Sequence, residues 1–264
     1  MTPGTEKWSD LAVRLASGAA MVIFGFFAVW VGGWLFYFVV AVVCGLMVWE
    51  LTRMVRPDVP ETALQLGLLG GAVSLVAIAM PDLLAIPVLL LPALVGYVLL
   101  TTFRLSFAAL AALVLLAGYS VMSIRAGLGF DWMLWLVLVV VVTDVLGYFA
   151  GRLIGGPKFW PRVSPKKTWA GTVFGWLGAA LVGMWYMLQT GGGAQLIVVS
   201  VAVSMASQMG DIAESAMKRR VGVKDSSNLI PGHGGLMDRF DGMLGAAIFL
   251  LVVGPFIVFP AGLG

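Results

Sequence analysis

Apolar runs of roughly twenty residues, each cut by a short cluster of Gly, Pro or charged residues, recur from Leu15 to Phe259. A helix needs about 20 mostly apolar residues to cross the hydrocarbon of a bilayer, where lipid offers no partner to an unpaired backbone N–H or C=O. Cutting the chain at its charges, prolines and glycines gives nine such segments: residues 14–31, 34–50, 63–80, 83–102, 105–123, 131–151, 170–189, 194–213 and 242–260. Gly32–Gly33 and Pro81–Asp82 make very short connections, so eight or ten spans also fit these boundaries. The predicted fold class is all-α: a polytopic transmembrane helical bundle forming a single domain over residues 1–264.

Composition agrees with that pattern. The chain is 61% hydrophobic and 11% charged, against about 25% charged in soluble domains, and no polar block is large enough to fold alone. With a cytoplasmic N-terminus, nine spans put residues 51–62, 103–104, 152–169 and 214–241 on one side. That side then holds fifteen of the sixteen Lys and Arg residues, Arg125 being the exception. Basic residues favour cytoplasmic loops, so the expected placement is a multi-pass protein of the cell (inner) membrane. Its two large polar loops, 152–169 and 214–241, would then meet at the cytoplasmic face, where soluble nucleotides and metal ions are available. The net charge of +3 is spread over many short loops, without the continuous basic stripe that nucleic-acid binding requires. Cys44 is the single cysteine and cannot form an intrachain disulfide. The N-terminal segment carries Glu6 and Asp10 and lacks a basic start and a small-residue cleavage site, so no signal-peptide processing is expected. No internal repeat stands out, but Gly147, Gly151 and Gly155, and then Gly171 and Gly175, recur at four-residue intervals. Such spacing lets helix backbones approach closely in lipid.

Charges inside spans are costly in hydrocarbon, which singles out Asp144 and Asp211. Asp144 lies eight residues before Arg152, about 12 Å from the cytoplasmic end of a helix, with Tyr148 and Arg152 following on its face. It is either a paired structural carboxylate or a polar or metal-binding group. Asp211 opens GDIAESAMKRRVGVKDSSNLIPGHGGLMDRFDG. Five of the thirteen acidic residues, five of the sixteen basic ones and the only histidine fall between Asp211 and Asp241. On a continued helix, Asp211, Glu214, Ser215 and Lys218 share one face. Asp238 and Asp241 sit three apart before the last span. With Asp211 they make a candidate site for Mg²⁺, a hard cation that takes oxygen ligands and bridges phosphates.

The turn Pro231–Gly235, PGHGG, would let backbone approach a phosphate, although an interhelical turn explains it equally well. His233 lies among glycines in a charged loop. One His and one distant Cys do not make a zinc set. Ser215, His233 and Asp238 lack the GxSxG elbow of a hydrolase, and no GxxxxGK[ST] loop is present. In the other polar loop, SPKKTWAG places Lys166 and Lys167 side by side after Pro165. Two such point charges could hold a polyphosphate, or simply set topology and attract anionic lipid.

Ser215, Lys218, Arg219, Lys224, Asp225, the HGG of His233–Gly235, Asp238, Arg239 and Asp241 together resemble the signature of the phosphatidate cytidylyltransferase family. DVLGYFAGRLIGGPK and SPKKTW look like the family's second characteristic region. Ala170 departs from it, where the family usually carries Glu. The resemblance implies CMP transfer from CTP to phosphatidate, with Mg²⁺, giving CDP-diacylglycerol and pyrophosphate for phospholipid synthesis. It implies catalytic roles for Asp211, Asp238, Asp241, His233 and Lys224, the three aspartates as metal ligands. It implies substrate contacts from Lys166, Lys167, Ser215, Lys218, Arg219, Asp225, Arg239 and Asp144. Partners would be CTP, phosphatidate and membrane lipid, with no nucleic acid, and a homodimer is left open.

Two alternatives are kept. One is a relative acting on a different lipid phosphate; the other is a lipid transporter, against which the massing of polar residues on one face argues. A CDP-alcohol phosphatidyltransferase would need a DxxDGxxAR-type motif, which the chain lacks.

Overall fold

A computed structural model describes residues 3–262, with side chains from Val13 onward; Glu6 and Asp10 lie outside the described side chains. The described residues form nine long helices in the expected order. They are α1 (Pro3–Val31), α2 (Gly33–Val55), α3 (Pro60–Ala77), α4 (Asp82–Leu99), α5 (Arg104–Gly127), α6 (Phe130–Leu153), α7 (Trp169–Thr190), α8 (Gln195–Val221) and α9 (Met237–Val253). Eight of them are long and apolar enough to cross a membrane, and the chain is a multi-pass membrane protein. The ninth, α3, falls outside that set because Pro60, Glu61, Thr62 and Gln65 make its first two turns polar. Polar loop 152–169 is not irregular throughout: β1 (Lys158–Trp160) and β2 (Ser164–Thr168) pair as a small antiparallel hairpin. Gly32 and Gly33 both have positive φ, a conformation cheap only for glycine, and this breaks the first apolar run into two helices.

The chain divides into two compact units. The first comprises residues 1–112 and 221–240, the second residues 113–220 and 241–264, so α9 gives its first turn to one and its body to the other. In the first unit, α2 and α3 meet through glycine. A Cβ on Gly45 would lie 2.7 Å from the Gly67 carbonyl oxygen, and one on Gly67 would lie 2.9 Å from the Gly45 oxygen. Side chains would hold these backbones apart, which is how small residues drive helix association in lipid. At the end of α2, Arg56 grips Asp58 through Nε (2.8 Å) and a terminal nitrogen (2.7 Å) and donates to Thr101 (2.6 Å). The guanidinium hydrogen bonds hold the Asp58 carboxyl down at about 2.

The second unit packs Trp132, Trp135, Tyr186, Leu196 and Leu250 into one buried cluster. The predicted close approach of α6 and α7 is present, since a Cβ on Gly147 would meet the Gly171 oxygen at 3.2 Å. Gly155 lies past the end of α6 in a positive-φ turn. Polar side chains tie the helices internally: Thr143 donates to Ser204 (2.7 Å), Trp135 to Ser200 (3.0 Å) and Ser120 to the Ala247 carbonyl (2.7 Å). Large apolar side chains such as Leu15, Phe24, Trp30, Leu83 and Leu188 are exposed, as expected where the surroundings are lipid tails.

Candidate active site

In the second unit, carboxylate oxygens of Asp211, Glu214 and Asp241 all lie within 4.8 Å of one another. Asp211 and Glu214 share a face of α8 at i and i+3, and Asp241 reaches them from α9. The two helices touch where Gly210 replaces a side chain: a Cβ there would lie 2.7 Å from the Gly245 nitrogen. Gly210 is therefore what allows the carboxylates to converge. Cations close around them. Lys167 Nζ is 2.5 Å from Asp211 Oδ2, Lys218 Nζ is 2.6 Å from Glu214 Oε2, and Ser215 donates to Asp211 Oδ1 at 3.1 Å. Asp144 acts electrostatically on the same cluster, through Lys167, Asp211 and Asp241. Arg152 donates to Tyr148 at 3.0 Å, as their shared face predicts. Hard oxygen donors in this number and spacing suit a divalent cation such as Mg²⁺, which keeps several waters for substrate phosphates.

Lys166 and Lys167 do not act as one paired charge. They are consecutive on β2, and successive strand side chains point to opposite faces. Lys167 is half-buried on Asp211, and Lys166 is exposed.

In the first unit, the segment between α8 and α9 is held by two carboxylates. Asp238, in the first turn of α9, accepts at Oδ2 from Ser226 N (2.9 Å), Ser226 Oγ (3.0 Å) and Gly235 N (2.8 Å). Glu50, fully buried on α2, accepts from Ser227 Oγ (2.5 Å), Leu236 N (2.9 Å), Met237 N (2.9 Å) and Ser226 Oγ (3.3 Å). The first N–H groups of a helix lack intrahelical partners and carry partial positive charge, so Glu50 serves as a cap for α9 supplied by another helix. The glycines fit around these anchors. A side chain at Gly235 would run into Ser226 and Glu50, and Gly232 and Gly234 have positive φ. His233 Nδ1 sits 2.9 Å from Ser17 Oγ on α1, and Ser17 also donates to the Pro231 carbonyl at 3.0 Å. Arg239 donates twice to the His233 carbonyl, at 3.0 and 2.7 Å. Lys224, Asp225 and Arg219 are exposed. Asp238 and Asp241, one turn apart on α9, thus face different tasks.

Sequence reasoning put Glu214 on the right face without giving it a role, and missed Glu50 altogether. The available signal for Glu50 was a carboxylate inside an apolar helix, the same cost that singled out Asp144 and Asp211.

The profile of the Cytidylyltransferase family matches residues 12–256. Over 151 residues the chain is 41% identical to the phosphatidate cytidylyltransferase of Brucella abortus, covering 54% of this chain and 56% of that one. Over 119 residues it is 40% identical to the Staphylococcus saprophyticus protein of that name (44% and 46% covered). Over 122 residues it is 39% identical to the Helicobacter pylori one (46% of each). The chain spans about half the length of the curated relatives it matches.

Proposed function

Because the chain belongs to the cytidylyltransferase family, we propose that it transfers CMP from CTP to phosphatidate, releasing pyrophosphate and forming CDP-diacylglycerol for phospholipid synthesis. The observation that carries this reading is the Asp211, Glu214 and Asp241 cluster with Lys167 and Lys218 against it, at the ends of apolar helices. Such a position supports nucleotide chemistry on a lipid headgroup. The names of the Brucella, Staphylococcus and Helicobacter relatives supply the substrates.

An oxygen of the lipid phosphate attacks the α-phosphorus of CTP. A new P–O bond forms while the bond from that phosphorus to the bridging oxygen of the β-phosphate breaks, and pyrophosphate leaves. Asp211, Glu214 and Asp241 would hold Mg²⁺, which would neutralise charge on the triphosphate. Phosphoryl-type transfers depend chiefly on positioning and such electrostatic stabilisation. Lys167 and Lys218 hold the carboxylates in place and offer positive charge to phosphate, and exposed Arg219 supplies a further phosphate contact. Within the first unit, Asp238 and Glu50 fix the Gly-rich turn that carries His233. The bias of Lys and Arg supports a cytoplasmic site in the cell (inner) membrane.

The test is to incubate the purified full chain with radiolabelled CTP, phosphatidate and Mg²⁺. Label extracted into the lipid phase, dependent on phosphatidate, is expected. No lipid-soluble label would contradict the reading, and label only with another lipid phosphate would change the acceptor.

A further inference from the structure

A groove of about 550 Å³ runs along the first unit between α2 and α3. It exists because Gly45, Gly67 and Gly71 bring the two backbones together, leaving the longer side chains of Val42, Trp49 and Leu68 to form its walls. On α2 the lining runs from Phe38 to Trp49, a rise of about 16 Å at 1.5 Å per residue. That is close to half of a bilayer's hydrocarbon thickness of about 30 Å, the depth of one leaflet.

Two features distinguish this groove from an ordinary lipid-facing surface. Its wall includes Leu229, which belongs to the segment anchored by Glu50 through Ser226 and Ser227. The groove therefore runs up to the loop that carries the family signature. The second feature is charge. Val42, Leu46, Trp49 and Arg53 form one stripe of α2 at helical spacing, so Arg53 stands one turn past the groove's last α2 residue. Arg56, three residues on, is committed to Asp58 and Thr101. Half-buried Arg53 has no hydrogen bond or ion pair among the described residues. A leaflet-deep apolar groove with an arginine one helical turn past its end matches an amphiphile with one long chain below an anionic phosphate.

We infer that this groove holds an acyl chain of the phosphatidate acceptor, with Arg53 drawing its phosphate toward the Ser226–Asp238 loop. The inference rests on the function proposed above and adds the lipid's binding path and the residues that set its chain-length preference. Acceptors with chains long enough to fill the groove bind better than short ones, since each buried methylene adds to the apolar gain.

The test uses the full chain in nanodiscs and phosphatidate bearing a diazirine midway along one acyl chain. Adducts are expected on peptides of α2 and α3, competed by unlabelled phosphatidate and several-fold weaker with the matching phosphatidylcholine probe. Ala72→Trp, and independently Leu68→Trp should the first fail to fold, fill the groove. Each should cut those adducts and lower the ratio of dioleoyl to dioctanoyl phosphatidate turnover by roughly tenfold. Arg53→Gln should raise KM for phosphatidate several-fold with KM for CTP unmoved. Adducts mapping to the second unit, equal labelling by phosphatidylcholine, or an unchanged chain-length ratio in a folded groove-filling variant would each overturn the inference. Absence of CMP transfer by the wild type to any phosphatidate would instead defeat the proposed function, and the crosslinks would still report on the groove.

Discussion

The two groups of carboxylates in this protein are built from the same residue types and solve opposite problems. Glu50 and Asp238 accept from neutral donors: backbone N–H groups and serine hydroxyls meet their oxygens at 2.5–3.3 Å. Asp211, Glu214 and Asp241 face one another instead and are matched by two lysines, one serine and the Gly242 N–H. A carboxylate that caps N–H groups has its charge absorbed by a helix end. Carboxylates whose oxygens lie within 4.8 Å of one another repel each other unless positive charge is added, and their spacing suits a divalent ion. The first arrangement anchors a loop, and the second is the candidate ion site.

If that distinction holds, replacing Asp241 by Asn should have the largest effect, lowering CMP transfer about 10²-fold or more with the thermal unfolding temperature nearly unchanged. Raising Mg²⁺ should recover part of the loss; a variant with normal activity would remove Asp241 from the site. Glu50→Ala should act in the other order, on stability first. It strands two N–H donors and the Ser227 hydroxyl, a cost of about 3 kcal/mol, so the unfolding temperature drops and activity falls about tenfold without rescue by Mg²⁺. Rescue by Mg²⁺ would place Glu50 with the chemical group.

The lysine pair sharpens the comparison within one strand. Lys167→Ala should lower kcat about tenfold, the loss expected for a positioned charge next to the reacting phosphates, and Lys166→Ala should change it less than about threefold because its side chain points away. Equal effects would mean that β2 is not extended as described. Smallest is Ser17→Ala, which removes one hydrogen bond to His233 worth about 1 kcal/mol. A few-fold rise in KM is expected, and a null effect would show that the tether to α1 is dispensable.

The sequence made some of this plain and concealed the rest for physical reasons. Helical spans were legible because lipid forces an all-or-none apolar pattern. α3 escaped the pattern only in its first two turns. Asp211 and Asp241 were legible because charge is rare in such helices and because one face of α8 follows from periodicity. Glu50 was not, because its partners lie 176 to 187 residues away and no local spacing encodes that pairing. The separation of Lys166 from Lys167 was not legible because it depends on a short strand, whose alternation turns neighbours to opposite faces. Asp238 resembled Asp241 by spacing alone, yet its Oδ2 is engaged by the loop it precedes, a distinction only side-chain geometry reveals.

The central claim is that Asp211, Glu214 and Asp241 hold the divalent ion. Its most direct test is a Mn²⁺ titration of the purified full chain, read by electron paramagnetic resonance, comparing wild type with Asp241→Asn. The account predicts saturable Mn²⁺ binding, displaced by Mg²⁺, that is weakened at least about tenfold in the variant. Undiminished binding in a folded Asp241→Asn protein would contradict it.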